Sequence, residues 1–337
     1  MNTKLTESTK KYRQMLKNDT VFEFFSCKIL PKDIAISAVM NLVFLDMGTI
    51  LCLDKDQIWN AVSGHLEENE TILDALKRES IEEIGVEVQN PTLIGYIESK
   101  KVEENNYNKK YPNISLIPVY ISFADKVLQK KDWKKIETLD RICLSKTNSL
   151  EVLSQRSDNN QLFEIYQYAW EVFEGMNKEI QFQYFSEMIN DNSQTTQVFN
   201  FCYNDENKFC IVRDKNENYY SLPGGGCNVD ETPEECCIRE TIEEAQIIIS
   251  SPMFVGGVKV KYLNSENQVL QTVLHLRFLS KTSVIEEFIP LKNGFETDFR
   301  DFVSLNELET KIDWLKYDSG KEMIKTVKKL TLKTKNV

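Results

Sequence analysis

Glu79, Glu82 and Glu83 stand at a spacing that, on a helix, gathers their carboxylates on one side. Glu240, Glu243 and Glu244 repeat the arrangement 161 residues later. Three carboxylates packed together repel, and partial burial pushes protons back onto them. A hard divalent cation such as Mg²⁺ or Mn²⁺ removes that conflict, because it takes carboxylate oxygens, retained waters and phosphate oxygens as ligands. Each cluster therefore reads as a metal site. A metal bridging a diphosphate polarises phosphorus and offsets developing negative charge, while a carboxylate free of direct ligation takes a proton from the attacking water. The chemistry expected is hydrolysis of a phosphoanhydride. For a lone pair of glutamates a solvated helical face would be the better reading, so the flanking residues decide.

Those residues are themselves duplicated. The first run is Gly64, Glu70, then Arg78-Glu79-Ser80-Ile81-Glu82-Glu83-Ile84-Gly85-Val86; the second is Gly225, Glu231, then Arg239-Glu240-Thr241-Ile242-Glu243-Glu244-Ala245-Gln246-Ile247. Seven fixed positions are filled in the first copy, a coincidence with a chance probability of about 10⁻⁸ per starting point at ~7% usage per residue type. The spacing G-x5-E-x7-R-E-U-x-E-E-x-G-U, with U bulky and apolar, resembles the box of the Nudix hydrolases. Gln246 replaces the last glycine of the second copy, and Ser80 and Thr241 replace the first apolar residue. Neither departure touches a carboxylate. Outside the boxes Trp59 falls opposite Tyr220, and Leu93-Ile94-Gly95 opposite Phe254-Val255-Gly256; Leu139-Asp140-Arg141 answers Phe299-Arg300-Asp301 loosely, one residue out of step.

The resemblance implies an α/β chain of two Nudix-type α/β/α sandwich domains with mixed sheets. It also implies that a loop carbonyl at Gly64 and Gly225, or at the preceding Ser63 and Gly224, joins the glutamates as metal ligand. Arg78 and Arg239 are expected to orient a glutamate, and Glu70 and Glu231 to hold the loop. The expected metal sets are thus Gly64, Glu79, Glu82 and Glu83, and Gly225, Glu240, Glu243 and Glu244, with Glu82, Glu83, Glu243 and Glu244 as candidates for the catalytic carboxylate. The implied substrate is a small nucleotide, of nucleoside triphosphate or nucleotide-sugar type. Some members recruit a later acid, here Glu137 or Asp140 and Glu296 or Asp298, although ordinary loop acids are the commoner outcome. His65 is placed to contact phosphate or to bond locally, and Trp59, Tyr219 or Tyr220 to stack a base. Three rivals stay open: one active domain with a degenerate regulatory partner, motivated by Gln246; a nucleotide-binding sensor without turnover; and an isoprenoid diphosphate isomerase, disfavoured by having only two histidines.

The elements that position these residues are readable. Thr71 with Asp74 and Thr232 with Glu235 look like capping boxes, with Pro233 at a first helical position. The box helices should end near Ile84 and Ala245, and Leu73, Ile81 and Ile84 should form the apolar face opposite the glutamates. Before each box comes a hairpin: Ile36–Phe44 with Ile50–Leu53, and Gln197–Tyr203 with Phe209–Val212. Later strands are expected at Thr92–Glu98, Ser115–Phe123, Met253–Tyr262 and Val269–Leu279. Leu162, Phe163, Tyr166, Ala169, Trp170 and Phe173 recur at helical spacing and predict a core-facing helix. Domain one is placed at 1–176, with an N-terminal extension to about residue 30, and domain two at 177–337, with 190–196 a polar loop.

Composition narrows the rest. The length of 337 residues suits two ordinary domains, and no apolar run nears the ~18 residues of a membrane span. Met1–Thr20 lacks an apolar signal core, so a cytoplasmic protein is expected. The net charge of −11 argues against binding long nucleic acid. The basic clusters Lys109-Lys110, Lys130-Lys131 with Lys134-Lys135, and Lys328–Lys335 read mainly as solvated faces, with phosphate steering a lesser role for the first two. Eight cysteines without a C-x-x-C pair read as thiols, those at 227, 236 and 237 as small fillers. Because Nudix domains often pair, an intramolecular pseudo-dimer or a homodimer is also expected.

Overall fold

The structure is a computed structural model that describes residues 15–106, 108–130, 132–133, 138–156, 160–188, 194–214, 219–290 and 297–333. Glu137, Glu296, Lys131, Lys134, Lys135, Lys335 and most of the 190–196 loop lie outside the described residues. Two compact units form: Met1–Glu179 with Tyr262–Gln271, and Ile180–Lys261 with Thr272–Val337.

In the first unit the chain runs β1 (Met15–Lys17), β2 (Thr20–Ser26), β3 (Ala38–Leu45), β4 (Gly48–Asp54), β5 (Trp59–Asn60), β6 (Val62–His65), α1 (Ile72–Ile84), β7 (Val86–Lys101), β8 (Ile114–Val127), β9 (Thr138–Ser145), α2 (Lys146–Ser154) and α3 (Asn160–Met176). The sheet order is β1-β2-β7-β8-β3-β4-β5, with β6 on β3 and β9 on β4. It is mixed, since β3 is parallel to β8 and antiparallel to β4. Alternation along β3 sends Asn41 to α1, where it donates to Ser80 at 2.9 Å, and Phe44 to α3, where it stacks on Phe173 and meets Trp170 edge-on. Helices therefore cover both faces. The helical stripe predicted from Leu162 to Phe173 packs into that core as expected, Phe163 only partly buried.

The second unit repeats the plan with β10 (Glu179–Phe185), β11 (Gln194–Tyr203), β12 (Phe209–Asp214), β13 (Tyr220–Ser221), β14 (Gly224–Gly226), α4 (Pro233–Ala245), β15 (Ile247–Ile249), β16 (Met253–Leu263), β17 (Val269–Ile285), β18 (Thr297–Val303), α5 (Leu305–Lys311), a 3₁₀ turn (Asp313–Lys316) and α6 (Asp318–Lys333). Here the order is β10-β16-β17-β11-β12-β13, with β11 parallel to β17. Two mixed sheets carrying helices make the chain α/β, as the sequence implied.

Both box helices end where expected. Thr71 caps α1 by accepting from the Asp74 amide, and Thr232 with Glu235 forms a full capping box at α4. The predicted hairpins are β3–β4 and β11–β12. β7 extends well beyond Thr92–Glu98, because a register shift between Gln89 and Thr92 lets the strand pass Pro91. Thr20–Ser26, within the N-terminal extension of domain one, forms a strand that pairs with β7.

The apolar face of α1 differs from expectation. Leu73 and Ile81 are 44% and 40% exposed, whereas Ala75, Leu76, Glu79, Ser80 and Ile84 are buried. The reason lies in the position that departed from the box pattern. Ser80 is inside, held between Asn41 and the Leu76 carbonyl, and Ser122 donates to the Asn41 Oδ1 at 2.9 Å. Asn200, Thr241 and Ser280 build the same buried bridge in the second unit, with Asn200 donating at 2.9 and 2.8 Å. A hydroxyl at this position thus lets helix and sheet satisfy each other's polar groups.

Gly85 ends α1 at φ 62° and ψ 39°, and Gln246 ends α4 in the same left-handed conformation at φ 53° and ψ 46°. Glutamine is tolerated because its amide exchanges two bonds with Ile289, donating at 2.7 Å and accepting at 2.9 Å. At Gly85 a Cβ would sit 2.6 Å from the Trp133 ring. Gly85→Gln is therefore expected to destabilise the protein by about 2–4 kcal/mol, combining left-handed strain with overpacking. Gln246→Gly should stay within about 1 kcal/mol of the parent. Chemical denaturation of the full chain measures both, and equal effects would refute the account.

Candidate active site

Each site is assembled where a short strand of glycine-containing loop lies beside the middle of the box helix. β6 pairs with β3 so that Gly64 faces Val39; β14 pairs with β11 so that Gly225 faces Val198. Closeness is enforced by the missing side chain. A Cβ on Gly64 would lie 1.7 Å from Oε1 of Glu79, and one on Gly225 would lie 2.7 Å from Oε2 of Glu240.

One guanidinium organises each cluster. Arg78 donates through Nε and Nη2 to both oxygens of Glu70 at 2.8 and 2.9 Å, and through Nη1 to Glu79 at 2.7 Å and Glu82 at 3.2 Å. Its Nη2 also donates to the His65 carbonyl at 2.9 Å. Arg239 repeats every contact: Glu231 at 2.8 and 2.8 Å, Glu240 at 2.7 Å, Glu243 at 2.8 Å and the Gly226 carbonyl at 2.8 Å. The last glutamate of each cluster turns elsewhere. Glu83 accepts from the Ser63 amide at 2.7 Å, and Glu244 from the Gly224 amide at 2.9 Å.

Electrostatics follow from these contacts. The hydrogen bond from Arg78 holds the Glu70 carboxyl below its usual range, and Glu70 in turn raises Arg78. Burial raises Glu231, but the bond from Arg239 and the Asn228 amide outweigh it and leave the group lowered. Burial raises Glu240 above an ordinary carboxylate despite Arg239 beside it. A buried carboxylate kept partly uncompensated favours a positive ligand.

Behind each cluster, the last turn of the helix is clamped by residues of a later strand, β9 in the first unit and β18 in the second. Thr138 donates to the Glu83 carbonyl at 2.7 Å, while Arg141 donates to Ile84 at 2.5 Å and Gly85 at 3.1 Å. Thr297 and Arg300 do the same for Glu244, at 2.8 Å, and for Ala245, at 2.6 Å. Cations on the last carbonyls also suit the helix dipole. Thr138-x-x-Arg141 therefore answers Thr297-x-x-Arg300, which corrects the looser alignment of Leu139-Asp140-Arg141 with Phe299-Arg300-Asp301 by one residue. These clamp residues were missed in the sequence; the repeated T-x-x-R was their only signal.

A cavity of about 610 Å³ opens beside the first cluster, lined by Gly64, Arg78, Glu79, Glu82 and Glu83 on one side and by Phe22, Met40, Ile117 and Tyr111 on another. Lys101 also reaches it. His65 lines the cavity too, its ring stacked on Tyr111 at 5.1 Å.

The NUDIX domain family matches residues 37–144 and 194–325, more than half of the chain and one segment around each cluster. The chain belongs to the Nudix family. Nudix enzymes are generally pyrophosphohydrolases acting on small molecules, and the chain is accordingly a Nudix-type pyrophosphohydrolase. Among solved structures it resembles a Bacillus subtilis pyrophosphohydrolase (19% identity, TM-score 0.35, covering 44% of this chain and 90% of that one) and a Nudix hydrolase from Nitrosomonas europaea (16%, 0.31, 40% and 88%). It also resembles a MutT protein from Methanosarcina mazei (19%, 0.29, 40% and 96%). No curated protein matches the chain.

The two Nudix boxes thus bring together the residues predicted for them, with one difference in arrangement. Glu79 and Glu82 meet on Arg78 and Glu83 accepts from the loop amide; among the described residues no three acidic, histidine or cysteine side chains are set around a point where a metal ion would sit. Asp140 does not line the cavity and pairs with Lys130 at 3.3 Å, and Asp298 accepts from Arg213 at 3.0 Å. Trp59 packs against the core rather than the cavity, so the aromatic candidate for base stacking in the first Nudix unit moves to Tyr111. Tyr220 packs on Phe299 at 5.6 Å, and Tyr219 is more than half exposed. Cys236 and Cys237 are buried fillers with raised thiols, as expected. No helix among the described residues is long and apolar enough to cross a membrane.

Proposed function

We propose that residues 1–176 and 177–337 are two Nudix modules that hydrolyse the phosphoanhydride of nucleoside diphosphate derivatives, nucleoside triphosphates and nucleotide sugars being the leading substrates. The observation that carries this reading is the identical wiring of both boxes: one arginine gripping three glutamates, with the fourth glutamate on the amide of the glycine loop.

The donors suit Mg²⁺ or Mn²⁺ by chemistry, being carboxylates and loop carbonyls, with a glycine that lets Glu79 or Glu240 approach the backbone. Glu79, Glu82 and the Gly64 carbonyl would hold the ion in the first unit, and Glu240, Glu243 and the Gly225 carbonyl in the second, with Glu83 and Glu244 beside it. When bound, such an ion polarises the diphosphate and offsets its charge. Arg78 and Arg239 keep the carboxylates oriented before substrate arrives. Glu83 and Glu244 are the bases: the Ser63 and Gly224 amides, at 2.7 and 2.9 Å, fix each of them beside the glutamates that the arginine grips, where it takes a proton from water. The water oxygen bonds to phosphorus as the bridging P–O bond breaks, and the leaving phosphate carries the electron pair away. Tyr111 and Phe22 flank the space for the nucleoside in the first unit.

Gln246 no longer argues for a degenerate second domain, since it takes the conformation of Gly85. The test is phosphate and pyrophosphate release by the full chain from a nucleotide panel. With millimolar Mg²⁺ at least one compound should be cleaved, with loss of that turnover in excess EDTA. Metal-independent turnover, or tight binding of a nucleotide without cleavage under any divalent ion, would replace the hydrolase reading with another.

A further inference from the structure

Arg277, on β17, is buried at 7% exposure between two aromatic rings, its Cζ 4.5 Å from the centre of Phe199 and 5.0 Å from that of Trp314. Its Nη1 donates to the Leu276 carbonyl at 3.0 Å, and its Nε has no partner. No carboxylate among the described residues pairs with it. Burial alone lowers its affinity for the proton, to a pKa of about 9. An uncompensated buried cation is destabilising unless something on the molecule's surroundings supplies the countercharge.

Register places this residue across Phe199 from the glycine loop of the second box, on the sheet face away from Val198 and Gly225. Phe199 pairs with Gly224 on one side and with Arg277 on the other, so all three share one face of the sheet. A Cβ on Gly224 would come within 2.9 Å of the Phe199 ring, and Gly224 is the residue whose amide holds Glu244. In the first unit the matching residues are Met40 and Val119, paired in the same parallel register. Met40 lines the cavity there, and Val119 lies in the core beneath it. The second unit has thus put a fixed positive charge where the first has an apolar floor.

We propose that Arg277 is a specificity-determining residue of the second site, binding an oxyanion that its substrate carries in addition to the cleaved diphosphate. This rests on the reading of the second box as a diphosphate site. The unpartnered Nε–H is left for a phosphate or carboxylate, and the aromatic rings fix the guanidinium plane, which favours a planar fork over a point charge. The first site, with Val119, takes substrates without that group.

The test uses the full chain and needs no turnover. The Nε–Hε signal of Arg277 is identified in a ¹⁵N spectrum as the one missing from Arg277→Lys. Titration with inorganic pyrophosphate, and separately with malonate, should move that signal; movement with only one of them assigns phosphate or carboxylate as the ligand. In parallel, Arg277→Met should raise Tm in the absence of anions by about 2–4 °C, because an unpaired buried charge is removed. It should also show a smaller pyrophosphate-induced rise in Tm than the parent. A signal that stays in place with both anions, or a Tm lowered in Arg277→Met with an unchanged anion effect, would make Arg277 a packing residue and overturn the proposal. If Arg277→Met fails to fold, the spectrum still decides. Pyrophosphate binding at Arg277 without any nucleotide cleavage would sink the hydrolase reading while leaving this one standing.

Discussion

Glu83→Gln is expected to lower kcat/KM of the first site by about 10²–10⁴-fold, the range for removing a general base. The substitution isolates charge from shape. Glutamine keeps an oxygen able to accept from the Ser63 amide, now 2.7 Å from the carboxylate, so the side chain should stay where it is. Only its ability to take a proton, and its charge for a cation, disappears. Tm should change little, because the contacts that fix the helix end belong to Thr138 and Arg141. Glu244→Gln is the matching change in the second site. If Glu83→Gln alone abolishes all turnover, the first unit is the enzyme and the second assists it. If each change removes turnover of a different compound, the chain holds two enzymes. Retention of full activity in the double variant would remove both glutamates from the mechanism.

Gly64→Ala is expected to be nearly as damaging through a purely steric route. The added methyl would occupy space 1.7 Å from Oε1 and 1.9 Å from Cδ of Glu79. Since the obstructed group is the end of a flexible side chain, the carboxylate moves and the backbone can stay. Displacement by an ångström or more at a reacting centre costs about 10²-fold in rate. The same change also disturbs the Glu79 bond to Arg78, and through it the whole fork. Gly225→Ala should be milder, because its nearest approach to Glu240 is 2.7 Å and a small rotation relieves it. Paired measurements of kcat/KM and Tm decide the matter: a fall in Tm that parallels the loss of rate would mean that the glycine serves folding rather than the site.

Much of this site was readable in the chain before it folded. Spacing alone placed the box glutamates on one stretch of helix, and the caps at Thr71 and Thr232 fixed where those helices begin. Other features were hidden for physical reasons. The inward direction of Ser80 and Thr241 depends on Asn41 and Asn200, strand residues far away in sequence whose amides supply the partners. Leu73 and Ile81 look like core residues by periodicity, yet the helix is rotated so that Glu79 is buried beside Gly64. Tyr111 belongs to a loop, and only the folded loop brings it to His65. Gln246 broke the box pattern, but a side-chain amide that bonds to Ile289 restores by other means what glycine provides.

The clamp on the helix ends also says where the two halves have been free to drift apart in length. The boxes stand 161 residues apart, the T-x-x-R clamps 159 apart, and the strand pairs Val39 with Gly64 and Val198 with Gly225 imply 159 ahead of the boxes. The net differences in length between the two copies therefore lie in the connections between these fixed stations. The connections have room to vary, while the turn bearing the last two glutamates is tied at its carbonyls to a neighbouring strand and keeps both glutamates in each copy.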